Sequence, residues 1–107
     1  MPISAADLLA QIEAGHPPVI LDVRSRREFE KGHVPGARHM PFWAVSMRHG
    51  DIPGSRTDPI VIYCAHGPRA TLAASLLRRS GFQRLEFLVG HMSGWISSQL
   101  PQQAGPD

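Results

Sequence analysis

Apolar residues recur along this 107-residue chain with two periods, and the switching between them predicts the elements. Ala5, Leu8, Leu9 and Ile12 fall at i, i+3, i+4 and i+7, one face of a helix. Ser4 stands at the cap position with Asp7 three residues on, and Gly15 followed by Pro17-Pro18 ends the helix. Val19 to Val23 is a short apolar run, the pattern of a buried strand. Ser25-Arg26-Arg27-Glu28 is a stronger capping box that opens a short helix closed by Gly32. Gly32 to Ala37 carries loop chemistry, Arg38 to Met40 an extended piece, and Pro41 the first turn of a helix to about Met47. Residues 50 to 59 are turn-rich, and Ile60 to Tyr63 form a second strand. Beyond it Ala70, Ala73, Ala74 and Leu77 share a face that Leu72 and Leu76 widen, so this helix packs against more than one partner. Arg78 and Arg79 suit its last turn and Gly81 its C′ position. Leu85 to Val89 is a third strand, Trp95 and Ile96 lie on a last short helix, and residues 101–107 read as a frayed, flexible tail.

Strands alternating with helices predict an α/β fold, a mainly parallel central sheet with helices on both faces. The length predicts one domain, residues 1–100, which buries roughly 65% of its unfolded surface without staples.

Composition narrows the functional classes. Apolar residues make up 42% and charged residues 19%, the balance of a soluble globular protein. The first ten residues lack a basic stretch and a long apolar core, so no secretory signal is expected, and no run approaches a membrane span. Ten of the eleven cations are arginine, yet they are scattered, so nucleic acid is not an expected partner and small anions are. Six histidines without ligand spacing and a single cysteine predict no metal. One cysteine allows no internal disulfide, which fits a reducing compartment, and the expected location is the cytoplasm.

That cysteine, Cys64, is placed where chemistry would use it. It ends the strand Ile60 to Tyr63 and is followed by Ala65-His66-Gly67-Pro68-Arg69-Ala70, a tight turn into a helix. Ligands of parallel α/β sheets bind at the carboxyl ends of strands. Successive amides of such a turn converge on an anion, and the helix amino terminus adds positive potential. Pro68 has no N–H, so the donors are Ala65, His66, Gly67, Arg69 and Ala70. The expectation is a thiol biased towards thiolate, with the same donors stabilising a negative adduct on sulfur. A lone cysteine at a strand end is also an ordinary small hydrophobe, and spacing alone leaves these readings level.

The motifs decide between them. Cys64-Ala65-His66-Gly67-Pro68-Arg69-Ala70 resembles the active-site loop of the rhodanese family, Cys-x-x-Gly-x-Arg followed by a small residue. Leu21-Asp22-Val23-Arg24 resembles the family's Asp-Val-Arg signature. Glu28-Phe29 with Gly32-His33-Val34-Pro35-Gly36-Ala37 resembles its Glu-Phe/Tyr…Gly-His-Ile-Pro-Gly-Ala segment, and Leu88-Val89-Gly90 with Trp95 its terminal Gly-Gly…Trp segment. Each is weak alone, but four in order from about Ile3 to Trp95 are strong. The family's second terminal glycine is His91 here, which narrows the pocket mouth and puts donor preference in question.

The resemblance implies a single-domain thiosulfate sulfurtransferase that needs no cofactor. Cys64 takes sulfur from a small anionic donor such as thiosulfate, carries it as a persulfide, and yields it to cyanide or a thiol. An alternative is a non-turnover persulfide carrier or interaction module served by a protein sulfur donor or acceptor. A cysteine phosphatase or arsenate reductase is the remote third, because those loops place five residues between cysteine and arginine and this one places four. His66-Gly67 resembles the Cys-x-His-Gly loop of some single-domain thiosulfate sulfurtransferases, and the Cys-Gly-x-Gly start of the mercaptopyruvate branch is absent. Arg69 either holds the donor or the thiolate, or forms a salt bridge with Asp22 as candidate partner. His66 either contacts substrate or is a solvated loop residue. Asp22, Arg24 and Glu28 are expected as structural support, with Glu28 pairing Arg24. Trp43 and Trp95 are read as core, Trp43 alternatively as a pocket rim.

Overall fold

The side chains of the strands sort by parity, and that sorting builds two cores. The computed structural model describes residues 2–106, so the outermost residues of the expected domain and tail, Met1 and Asp107, lie outside the described residues. Four strands form one parallel sheet in the order β2-β1-β3-β4: β1 (Val19–Asp22), β2 (Arg38–His39), β3 (Ile60–Tyr63) and β4 (Leu85–Phe87). The register sets Leu21 beside Arg38 and Ile62, and Ile60 beside Leu85. Because successive side chains leave a strand on opposite faces, Leu21, Ile60, Ile62 and Cys64 reach one core while Ile20, Val61 and Tyr63 reach the other.

The helices are α1 (Ala5–Glu13), α2 (Arg26–Lys31), α3 (Val45–Arg48), α4 (Pro68–Arg79) and α5 (His91–Ser97). Helix α4 covers the cysteine face with Ala70, Ala73, Ala74 and Leu77, small residues that let its backbone approach the sheet. Leu8 of α1, Phe29 of α2 and Met92 and Trp95 of α5 fill the other. The α/β architecture with helices on both faces is therefore the one expected. No helix is long and apolar enough to cross a membrane among the described residues.

The predicted caps form. The Ser4 hydroxyl accepts the Asp7 N–H at 3.0 Å, and Ser25 and Glu28 exchange both bonds of a capping box. Several boundaries differ. The helix expected from Pro41 to Met47 is a 3-10 turn at Phe42–Ala44 followed by the short α3, and a second 3-10 turn follows at His49–Asp51. There Ala44 and Val45 take the buried positions, which leaves Trp43 72% exposed rather than in the core, while Trp95 is fully buried as expected. The third strand stops at Phe87. Leu88 makes an isolated bridge to Ile3, so the segment before α1 flanks β4.

The tail segment has tertiary partners. Gln103 exchanges backbone hydrogen bonds with His33 at 2.8 and 2.9 Å, and its side-chain oxygen accepts the Gly36 N–H. The Gly105 N–H reaches the Glu30 carbonyl, and the Trp95 indole donates to the Pro101 carbonyl. Four amides and an indole are paired this way, an arrangement that local sequence does not announce.

Candidate functional site

Parallel strands β1 and β3 end side by side, and everything around Cys64 follows from what those ends carry. Beyond Tyr63 the chain leaves the sheet and turns through residues 64–67 into α4. Gly67 makes the turn at φ +129°, a conformation that other residues rarely adopt. In that conformation its N–H donates to Cys64 Sγ at 3.0 Å. Cys64 is 1% exposed and packs in the α4 core.

Helix α5 braces the loop from behind. The first turn of α5 donates the Met92 N–H to the Cys64 carbonyl at 2.9 Å and the Ser93 N–H to the Ala65 carbonyl at 3.1 Å. The Cys64 N–H donates to His91 Nδ1 at 3.2 Å. Helix α4 has no side-chain cap at Gly67, and its first intrahelical bond is from the Thr71 N–H to the Gly67 carbonyl. Pro68 has no donor to leave unpaired, and the amides of Arg69 and Ala70 lie in that uncapped first turn. Of the five expected donors, Gly67 is thus the one set on sulfur. The Ala70 side chain is buried in the core and His66 is exposed.

The charged residues pair differently from the expected pattern. Asp22, at the end of β1, binds Arg24 rather than Arg69: Arg24 Nε lies 3.0 and 3.1 Å from its two oxygens and Nη2 2.7 Å from Oδ2. Arg24 Nη2 also donates to the Gly32 carbonyl. Burial opposes the Arg24 charge, but the Asp22 bonds outweigh it and the guanidinium is held above its ordinary range. Tyr63 completes this buried group: its hydroxyl donates to Asp22 Oδ2 at 2.8 Å and accepts the Val34 N–H at 3.1 Å. Burial, then the Asp22 charge, push the phenol far above its usual value, so it stays a donor.

Glu28 pairs with Arg69, not Arg24, because the capping box aims its carboxylate outward from the start of α2. Arg69 Nη1 and Nη2 grip Glu28 Oε1 and Oε2 at 2.7 and 3.1 Å. The Arg69 bonds, against some desolvation and helped by Ser25, pull Glu28 down to about 2. Arg69 is raised in turn, chiefly by Glu28 and further by attraction to Cys64. The structure therefore brings Arg69 and Cys64 within electrostatic reach, with Glu28 as the anchor, while Asp22 and Arg24 support the strand end.

Tyr63 and the acceptor role of His91 escape a reading of the sequence. The signal for Tyr63 was its place beside Cys64 on the opposite face of β3, level with Asp22 in the register. Of cavities of about 790, 320, 290, 240 and 130 Å³, the largest lies between the tail and residues 33–38, the 240 Å³ one is lined by Arg24 and Glu28, and Cys64 lines none of these five. Among the described residues no three His, Cys, Asp or Glu side chains are grouped as metal ligands.

Known proteins resemble this chain in sequence and fold. Residues 4–98 match the family described as Rhodanese-like domain. The chain is 37% identical over 76 residues to the putative sulfur carrier protein YrkF of Bacillus subtilis, an alignment covering 71% of this chain and 40% of that one. It is 31% identical over 83 residues to a sulfurtransferase of Allochromatium vinosum, covering 78% and 76%. The crystal structure of the Alr3790 protein from Anabaena superposes with a TM-score of 0.84 at 30% identity, covering 95% of this chain and 81% of that one. The chain thus spans well under two thirds of the length of the first of these relatives. With the family match running from the cap of α1 to the end of α5 and enclosing the whole Cys64 loop, the chain belongs to the rhodanese-like domain family.

Proposed function

We propose that the protein transfers sulfane sulfur through a persulfide on Cys64. The observation that carries this reading is the Gly67 N–H held 3.0 Å from Cys64 Sγ at the uncapped start of α4. The Cys64 thiolate attacks the outer sulfur of thiosulfate. A new S–S bond forms, the old S–S bond breaks, and its electron pair leaves on sulfite. The terminal persulfide sulfur carries the negative charge, which the Gly67 amide and the first-turn amides of Arg69 and Ala70 stabilise. Arg69 adds cationic potential without closing on the sulfur, because Glu28 holds it. Cyanide or a thiolate then attacks the outer sulfur and returns Cys64 as thiolate.

A second reading is favoured by the nearly closed thiol. With Cys64 1% exposed, the loop suits a persulfide handed over by another protein as well as it suits a free anion. The likeness to a protein described as a putative sulfur carrier supports the same view. The four-residue spacing to Arg69 stands against phosphate or arsenate chemistry.

Intact mass spectrometry after thiosulfate exposure tests the proposal. Addition of one sulfur atom, removed by cyanide with release of thiocyanate and absent in Cys64→Ser, is expected. Sulfur gained from a cysteine desulfurase but not from thiosulfate would establish the carrier reading instead. Undiminished thiocyanate formation by Cys64→Ser would overturn both.

A further inference from the structure

His91 occupies a backbone conformation that costs it energy, and its ring is placed on the peptide of the nucleophile. Its φ is +51°, in the left-handed region where glycine or asparagine is at ease. It follows Gly90, at the place where the family motif resembled by this chain has its second glycine. What the imidazole gains there is specific. Nδ1 lies 3.2 Å from the Cys64 nitrogen as the acceptor of its N–H, while the next residue, Met92, donates its N–H to the Cys64 carbonyl. One turn of α5 thus grips both ends of the residue that carries the thiol. The outer edge of the ring flanks the loop, because a Cβ built on Gly67 would sit 3.3 Å from Nε2.

We propose that His91 is a positioning residue for Cys64: its unprotonated Nδ1 fixes the Cys64 amide and so holds the sulfur against the Gly67 N–H. The inference rests on the sulfur-transfer reading for its consequence in turnover, and on geometry alone for its effect on Cys64. An imidazole that accepts at Nδ1 carries its single proton on Nε2. Protonation at Nδ1 sets a donor against a donor and releases the clamp. Burial, and then the charge of the neighbouring His66, hold His91 below its ordinary value, which keeps the accepting form populated near neutrality. The ionisable groups about the ring are His66 of the loop and the Cys64 thiol at the end of β3. Strand β4 presents the uncharged Phe87 ring, with centroids 6.4 Å apart, and the first turn of α5 adds no acidic residue.

His91→Asn and His91→Gly separate the acceptor from the backbone. Both residues tolerate the left-handed region, but only the Asn side-chain oxygen stands where Nδ1 stands. The rate of persulfide loading from thiosulfate, read by mass in single turnover at roughly pH 5 to 8, is compared across wild type and both variants. His91→Asn should load within about twofold of wild type at the upper end, and His91→Gly about threefold to tenfold more slowly, the loss of one neutral hydrogen bond. As pH falls the wild type should slow relative to His91→Asn, which keeps its acceptor. The Cys64 amide resonance should shift with His91 protonation in the wild type and not in either variant. Equal rates for all three proteins, a flat wild-type to Asn ratio, or a Cys64 amide indifferent to pH in this range would overturn the inference. If the wild type takes no sulfur from thiosulfate, it is the thiosulfate reading that fails. Alkylation of Cys64 by iodoacetamide then decides the role of His91: Asn grouping with wild type while Gly departs supports it, and three equal rates overturn it.

Discussion

Replacing Tyr63 by phenylalanine removes one oxygen from the interior and leaves the ring and its packing in place. That oxygen is fully buried and serves two partners, accepting the Val34 N–H at 3.1 Å and donating to Asp22 at 2.8 Å. Val34 is also fully buried, so its N–H loses its acceptor without gaining water. Leaving a buried donor unpaired costs about 1–3 kcal/mol. Asp22 loses one neutral donor but keeps the Arg24 side chain and the Arg24 N–H. The expected total is about 2 kcal/mol, which lowers Tm by roughly 10 °C in a domain of this size. Urea unfolding of the two proteins measures it directly, with the same slope m expected because the surface exposed on unfolding is unchanged. Persulfide loading under folded conditions should be retained, since Tyr63 and Cys64 leave β3 on opposite faces. A loss below about 0.5 kcal/mol at unchanged m would refute the reading of the phenol as the interior partner of Asp22 and Val34.

Two further outcomes follow from the loop and its anchor. Glu28, held near 2 against an ordinary 4.5, contributes stability that is present above pH 4.5 and lost as pH falls from about 4.5 to about 2. Its side chain and that of Arg69 are 35% and 32% exposed, so solvent screening reduces the contribution to about 1 kcal/mol. Glu28→Gln keeps the capping box and removes the charge, so the stability gap to wild type should close across that acid window. A gap that stays constant with pH would sink this assignment. Gly67→Ala forces a side chain onto φ +129° and towards His91, with an expected cost of about 1–3 kcal/mol and slowed persulfide loading. Unfolding and single-turnover measurements check it, and wild-type values in both would contradict the role given to Gly67.

The parts of the molecule legible in the sequence are those determined by neighbours in the chain. Ser25 and Glu28 are three residues apart, and their capping box forms as read. The parity of Ile60, Val61, Ile62 and Tyr63 sorts them between the two cores. Cys64, Gly67 and Arg69 lie within six residues, so the loop was visible as a motif. The ion pairs were not. Asp22, Arg24, Glu28 and Arg69 were all identified, but which acid meets which base depends on how α2 is aimed across the end of the sheet. The capping box aims Glu28 at Arg69, and Arg24 folds back on Asp22. Trp43 was misplaced for a related reason, since the 3-10 turn gives its buried positions to Ala44 and Val45. The partners of Gln103 and Gly105 lie some seventy residues away, beyond the range of any local pattern.

The brace that α5 puts on the cysteine loop has a consequence for the order in which the protein matures. A ribosome releases Cys64 well before residues 91–93, and until these emerge the Cys64 and Ala65 carbonyls and the Cys64 amide lack their partners. Strand β4, which leads into α5, is itself flanked by Ile3. The loop around Cys64 therefore gains this part of its bracing only once residues 91–93 are in place. A chain that stops short of residue 91 presents Cys64 with its local turn but without the partners that fix its backbone.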